Sequence, residues 1–342
     1  MKDVPVSPSD SLKGSAVPDH AFDLHGARVW VAGHRGMVGS AVTRRLENEP
    51  IVDLLTAGSD EVDLTRQDET EAFVMRIRPD VAIIAAAKVG GILANRSAQA
   101  DFLYENLMIA ANCVDAAYRA GVQRVVILGS SCIYPRDAPQ PMKESHLLTG
   151  PLEPTNEGYA IAKIAALELG KMYRRQHGLS AISLMPTNLY GPQDNFDLAT
   201  AHVLPALLRK VHEAKVRGSD HIEVWGSGNP RREFLHVDDL ADATVFLLKH
   251  YNDEPHINVG TGSDLAISEL AATIADVVGW HGELRFDATM PDGTPRKLLD
   301  VSRLRDLGWT ARISLRDGIA TTYDWYLRNE KQLRGALSRH AT

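Results

Sequence analysis

Residues 27–48, ARVWVAGHRGMVGSAVTRRLEN, carry the reading from which the fold follows. The apolar run ARVWVA leads into a glycine-rich turn, GHRGMVG (33–39), and then into an amphipathic stretch from Met37 to about Asn48. This order predicts a strand, a tight turn and a helix. Gly33, Gly36 and Gly39 let the backbone turn sharply, approach a pyrophosphate and pack helix against strand, while Met37 and Val38 open the helix with its amide donors. Working outward, short apolar runs recur at PDVAIIAAA (79–87), QRVVILGSS (123–131) and SAISLMPTN (180–188), separated by helical periodicity. Continuous apolar strands alternating with helices imply an α/β protein with a doubly wound parallel sheet covered on both faces.

The texture changes after Gly191, where GPQDNF, a helical HVLPALLRKVHEAKV, a strand IEVWG and the turn-rich GSGNPRREF open a second, smaller α/β lobe. HVDDLADATVFLLKHY reads as helix and INVGTG as one more strand of the first lobe, followed by a final helical segment from Ile267. The expected division is a tail over 1–25, a Rossmann-type dinucleotide domain over 26–190 and 237–262, and a substrate lobe over 191–236 and 263–335. Residues 1–20 are rich in Ser, Pro and Asp and poor in large apolar side chains, so a mobile tail is expected there.

The 342 residues contain 44% hydrophobic and 24% charged residues, an ordinary soluble balance. A formal charge of −7 argues against a general grip on nucleic acid, so an anionic ligand must be held by a local site. Cys113 and Cys132 are the only cysteines, too few for a disulfide framework and at no metal-ligand spacing, so no metal is expected. No continuous apolar core of a signal peptide and no stretch of about 18 apolar residues is present, so a reduced, cytoplasmic protein without a membrane anchor is expected.

The cofactor variant turns on the end of the second strand, where a carboxylate would take the ribose hydroxyls and repel a phosphate. Thr56, Ala57, Gly58 and Ser59 stand there instead, and Arg35 lies within the glycine turn, which favours NADP. Arg35 reads equally as a solvated loop cation. Asp63 is spaced to meet an adenine base, and equally reads as a surface carboxylate or helix cap.

Tyr159 and Lys163 lie four apart in YAIAK and share a helix face. A lysine beside a phenol favours the phenolate and brings the tyrosine nearer to proton exchange with a substrate oxygen. LGSSCIYP follows the fourth apolar strand, so Leu128 and Gly129 close that strand and Ser130 offers a hydroxyl at the carboxyl end of the sheet. Read alone, Cys132 is a small inert thiol and His202 a surface or capping residue, while Cys113 is a core residue. Arg231 and Arg232 read either as a solvated loop pair or as anion contacts, and Trp225 as core or as a ligand wall. Tyr134 and Tyr190 read as packing residues at strand ends.

Taken together, GHRGMVG, GSSCIYP, EPTNEGYAIAK, MPTNLYGPQDNF, WGSG, REFLHVDDLA, INVGTG and PDGTPRKLLDV resemble the GDP-L-fucose synthases, a family of extended short-chain dehydrogenase/reductases. The resemblance runs from about Ala27 to Trp325. It implies epimerisation of GDP-4-keto-6-deoxy-D-mannose at carbons 3 and 5, followed by NADPH-dependent reduction at carbon 4. It implies catalytic roles for Ser130, Cys132, Tyr159, Lys163 and His202, with Cys132 and His202 as the acid/base pair of epimerisation. To the cofactor set Gly33, Arg35, Gly36, Met37, Val38, Gly39 and Asp63 it adds Leu128, Gly129, Ser130, Lys163, Pro186, Asn188, Leu189 and His202. For the GDP-sugar it implies Asn188, Lys210, Trp225, Arg232, Asp292 and Lys297. Lys210 stands where the family pattern has arginine, keeping the charge without the bidentate fork, and Ser59 replaces an arginine of the cofactor site. The resemblance also implies a homodimer formed through helices near 101–120 and 159–177. Competing readings are a reductase or epimerase acting on another 4-keto GDP-sugar, a redox-neutral epimerase, and a nucleotide sensor; an intact Ser130, Tyr159 and Lys163 set argues against the sensor.

Overall fold

Strand and helix alternate from the first element, in a computed structural model that describes residues 21–290 and 292–337. The first run is β1 (Arg28–Ala32), α1 (Met37–Leu46), β2 (Asp53–Leu55), α2 (Gln67–Ile77), β3 (Val81–Ile84), α3 (Ile92–Ser97), α4 (Gln99–Arg119), β4 (Arg124–Leu128), α5 (Glu157–His177) and β5 (Ser180–Pro186). There follow β6 (Asn188–Tyr190), α6 (Val203–Arg217), β7 (His221–Trp225), β8 (Arg231–Arg232), β9 (Phe234–His236), α7 (Val237–His250) and β10 (Ile257–Val259). The chain closes with β11 (Leu265–Ala266), α8 (Ile267–Val278), β12 (Glu283–Asp287), β13 (Arg296–Lys297), α9 (Ser302–Asp306) and α10 (Leu315–Leu337).

Six strands form one parallel sheet in the order β10-β5-β4-β3-β1-β2. Its strands are apolar on both faces because both faces are covered. Val29, Val31, Ile83, Val126 and Ile182 point to the side packed by Val42 of α1 and Leu240 and Leu247 of α7. Trp30, Ala82, Ile84, Val125 and Ile127 point to the other side, against Phe73, Val114, Ala117 and Ala166 from α2, α4 and α5. Each large aliphatic side chain buried this way contributes roughly 1.5–3 kcal/mol. The chain runs from β1 outward to β2 and then crosses back to place β3 on the other flank of β1, so a crevice opens between the carboxyl ends of β1 and β3.

The second lobe packs α6, α8 and α10 around Leu207, Leu208, Val211, Leu270, Ile274 and Ile319. Beside them lie the parallel pair β7–β12 and the three-stranded sheet β11-β8-β13. As expected, β10 returns the chain to the central sheet beside β5.

Three expectations need correction. Most of the tail expected over 1–25 lies outside the described residues, but Phe22 and Leu24 near its end are docked. Leu24 is buried in the first core, the Phe22 amide donates to the Lys249 carbonyl at 2.8 Å, and the Arg124 guanidinium lies 4.9 Å from the Phe22 ring centroid. The final segment from Ile267 is not one helical stretch: β12, whose polar and apolar residues alternate along an edge, and β13 interrupt it. Nor does 263–335 belong wholly to the second lobe, since Leu304 and Trp309 pack into the first core with Leu235 and Ile257.

Candidate functional site

The glycine turn sits at the mouth of the crevice between β1 and β3. Gly33 has φ +85°, and a Cβ there would lie 2.6 Å from the Ala86 backbone just past β3. A Cβ on Gly39 would collide with the Gly33 carbonyl, so α1 can pack this close to the turn only without a side chain. Gly36 is the N-cap of α1 and carries no side-chain cap, leaving the first-turn amides of Met37 and Val38 and the positive end of the helix dipole toward the crevice. These features fit a dinucleotide pyrophosphate. Arg35 is exposed, ion-paired to Asp60 at 2.6 Å, and lies directly against Gly58, so its charge stands at the end of β2 beside Ser59. The Asp63 carboxylate accepts from the Thr65 amide and hydroxyl at 2.9 and 2.7 Å, in the loop leading to α2.

A second cluster forms where β4 ends. Ser130 caps a short 3-10 turn, its hydroxyl accepting from the Cys132 amide at 3.4 Å. The turn brings buried Cys132 toward Tyr159 and Lys163 on α5. Lys163 donates to the Leu128 carbonyl at 2.9 Å, and its ammonium lies 5.7 Å from the Tyr159 ring centroid. Burial lowers the Lys163 pKa to about 8, with the Cys132 charge opposing. Burial pushes the Tyr159 phenol well above its ordinary value, Cys132 adds to that, and the Ser130 hydroxyl pulls it back. This corrects the expectation that Lys163 brings the phenol toward ionisation. Desolvation of the phenolate outweighs a lysine engaged with Leu128, and Tyr159 rests as a proton donor. Burial raises the Cys132 thiol as well, while Lys297, Ser130 and Lys163 oppose it.

His202 is the N-cap residue of α6. It is exposed as a residue, and desolvation lowers its pKa. Asn188, just past β5 and Pro186, donates to the Glu233 carbonyl at 2.8 Å, and its neighbour Leu189 packs on the first core. Half-buried Arg232 and Lys297 pair in register on β8 and β13; burial lowers the pKa of both, with Asp292 opposing it at Arg232, and with Cys132 opposing it and Arg232 adding to it at Lys297. Asp292 accepts from the Ser227 amide and hydroxyl at 2.6 and 2.8 Å, which folds the turn after β7. Trp225 is half-exposed, and Lys210 lies 5.4 Å from its ring centroid while donating to the Glu223 carbonyl at 3.1 Å. Cys113, Tyr134 and Tyr190 are buried packing residues.

Glu233 was not singled out from the sequence. Fully buried, it accepts from the Thr261 and Gly262 amides at 2.7 Å through one oxygen and from the Leu299 amide at 2.9 Å through the other. Its amide donates to the Lys297 carbonyl at 3.2 Å. The only trace in the sequence is an acid placed between Arg232 and the apolar pair Phe234–Leu235.

A model described as the NAD dependent epimerase/dehydratase family matches residues 29–260. GDP-L-fucose synthase 1 of Arabidopsis thaliana is 56% identical over 303 residues, which cover 89% of this chain and 94% of the relative. The chain belongs to the GDP-L-fucose synthase family. Another member, GDP-L-fucose synthase of Escherichia coli (strain K12), is 54% identical over 317 residues, covering 90% of this chain and 99% of its own. The family fold extends to a crystal structure of a GDP-L-fucose synthetase from Naegleria fowleri bound to NADP, with TM-score 0.84 and 29% identity over 92% of this chain and 98% of that one.

Proposed function

We propose that the chain converts GDP-4-keto-6-deoxy-D-mannose to GDP-L-fucose, epimerising carbons 3 and 5 and reducing carbon 4 with NADPH. The observation that carries this reading is the meeting of Cys132, Ser130, Tyr159, Lys163 and Lys297 at the carboxyl end of the sheet, in a chain of this family.

Both parts of the reaction need a polarised ketone. Ser130 and Tyr159 donate to the carbon-4 oxygen, stabilising the enolate that forms when a neighbouring carbon loses its proton. Inversion then needs a base on one face and an acid on the other, roles we assign to Cys132 and His202. At rest the thiol and the imidazole are both uncharged, since burial raises one pKa and lowers the other. Moving the thiol proton to the imidazole by way of solvent in the cleft yields a thiolate base and an imidazolium acid with no change in total charge. Lys297 and Lys163 stabilise that thiolate. NADPH, when bound, supplies the hydride to carbon 4. Tyr159 gives its proton to the resulting alkoxide, and Lys163 stabilises the phenolate left behind until solvent reprotonates it.

The cofactor would rest on Gly33, Gly36, Gly39 and the first-turn amides of Met37 and Val38, with Leu128, Gly129, Pro186 and Leu189 at the strand ends and Asp63 to meet the adenine. Arg35 takes the 2′-phosphate in exchange for Asp60, which offsets the missing arginine at Ser59. Asn188, Arg232 and Lys297 hold the GDP-sugar, Asp292 shapes the turn beside it, and Trp225 walls the purine with Lys210 bracing its ring. The division into a dinucleotide domain and a GDP-sugar lobe is retained, with Leu304 and Trp309 counted in the first. Tyr104, Leu107, Tyr118, Ile161 and Met172 leave α4 and α5 with an exposed apolar face, which supports a homodimer through these helices. Both cysteines are free, which supports a reducing, cytoplasmic setting. Among the described residues no helix is long and apolar enough to cross a membrane.

Incubation with GDP-4-keto-6-deoxy-D-mannose in deuterated water without NADPH tests the epimerase half. Deuterium at carbons 3 and 5 is expected, and its absence at both carbons would refute this assignment.

A further inference from the structure

The connection between β3 and α4 is built to a degree that the chemistry assigned above does not use. Buried Asn106 of α4 holds Lys88 by a paired contact, its carbonyl accepting from the Lys88 amide and its amide donating to the Lys88 carbonyl, both at 3.0 Å. Buried Asn95 of α3 donates to the Gly90 and Gly91 carbonyls at 2.6 and 3.1 Å. Two buried amide side chains therefore fix the backbone of residues 88–91.

This fixed backbone reaches both sides of the cleft. A Cβ on Gly90 would lie 3.2 Å from the Phe102 ring, and Phe102 packs edge-on against Tyr159 with centroids 6.4 Å apart. On the other side, the Gly91 amide donates to the Thr200 carbonyl at 2.8 Å. A Cβ on Gly91 would lie 2.6 Å from the Ala201 carbonyl oxygen and 3.1 Å from that of Thr200. Those are the two residues before His202. Within its own loop His202 is tied by Asp197, whose carbonyl accepts from the Thr200 and Ala201 amides, and by α6, whose Ala206 amide donates to the His202 carbonyl at 3.1 Å.

We propose that residues 88–95 are a clasp that sets the distance between His202 and Tyr159, with Gly91 and Asn95 as positioning residues for epimerisation. The proposal rests on the acid/base role assigned to His202. No side chain fits at position 91 because the atoms it would meet are backbone. Reaching ordinary contact near 3.4 Å from 2.6 Å means moving the 200–202 backbone by roughly 0.8 Å, and a misplacement of about 1 Å at a reacting group costs up to about 100-fold in rate. Tyr159 meets the clasp from the other side, through Phe102 and Gly90.

The test compares Gly91→Ala, Asn95→Ala and His202→Gln in the full chain. Deuterium exchange at carbons 3 and 5 of GDP-4-keto-6-deoxy-D-mannose is followed by NMR, and NADPH binding by fluorescence. Gly91→Ala and Asn95→Ala are expected to slow exchange by about 10–100-fold at whichever carbon His202→Gln slows most, with NADPH affinity within about twofold of the parent. Asn95→Ala removes the tie without adding bulk, so it tests the clasp even if Gly91→Ala does not fold. Exchange at parental rates in Asn95→Ala, while His202→Gln is slow, overturns the clasp and leaves the role of His202 standing. Parental exchange in His202→Gln overturns both.

Discussion

Replacing Glu233 with glutamine keeps the volume and removes one acceptor from a fully buried site. In the better orientation the amide oxygen keeps the Thr261 and Gly262 amides, and its NH₂ group faces the Leu299 amide, donor against donor. The flipped orientation sets the NH₂ group against two amides and is worse. One orphaned buried N–H costs about 1–3 kcal/mol, and the two remaining amide bonds each lose roughly 1 kcal/mol when the acceptor is no longer charged. The sum is a destabilisation of about 3–5 kcal/mol, a large part of a typical total of about 5–15 kcal/mol. Urea unfolding of the two proteins measures it. Because Leu299 follows Lys297 by two residues, KM for the GDP-sugar rises in the same variant. Burial raises the Glu233 pKa against the pull of its amide donors. A loss below about 1 kcal/mol would refute the reasoning, since it would mean that the carboxyl already carries a proton and presents a donor of its own.

Arg35→Ala is expected to raise KM for NADPH by about tenfold, the value of about 1.4 kcal/mol for one charge-assisted contact, and to leave KM for NADH nearly unchanged. Equal effects on both cofactors in steady-state assays would remove Arg35 from the 2′-phosphate site. Cys132→Ser is expected to slow proton exchange at carbons 3 and 5 at least 100-fold while GDP-sugar affinity stays within about threefold, as read by NMR and by titration calorimetry. With the Lys163 pKa lowered to about 8 from 10.5, the reductive rate falls as pH rises through about 8, because the charged ammonium is lost. Stability moves the other way: between about 8 and 10.5 the unfolded chain binds more protons at this residue, so its contribution to stability rises with pH. A flat rate profile up to pH 10 in stopped-flow measurements would contradict that assignment.

The parallel sheet was legible because its strands are buried on both faces and therefore read as unbroken apolar runs, as VAII and the VVIL after Arg124 do. The turn after β1 was legible for a different reason: Gly33 and Gly39 stand where backbone meets backbone, and no other residue fits. β12 was not legible, because ELRFD lies on an edge and alternates polar with apolar residues like any surface stretch. Leu304 and Trp309 carry no local sign of which core they join, since a long-range return is set by tertiary packing alone. The Tyr159 and Lys163 pair was visible from its spacing, but the sense of the phenol's pKa shift was not, because spacing reports proximity and says nothing of desolvation. Glu233 shows the same limit, since its partners on the 261–262 turn and at Leu299 come together only when both lobes have folded.

Nicotinamide absorbance after mixing the purified chain with GDP-4-keto-6-deoxy-D-mannose and NADPH, with the sugar product resolved by NMR, tests the central claim most directly. One NADPH oxidised for each GDP-L-fucose formed is the predicted result. No loss of NADPH, or its loss with carbons 3 and 5 retaining their original configuration, would contradict it.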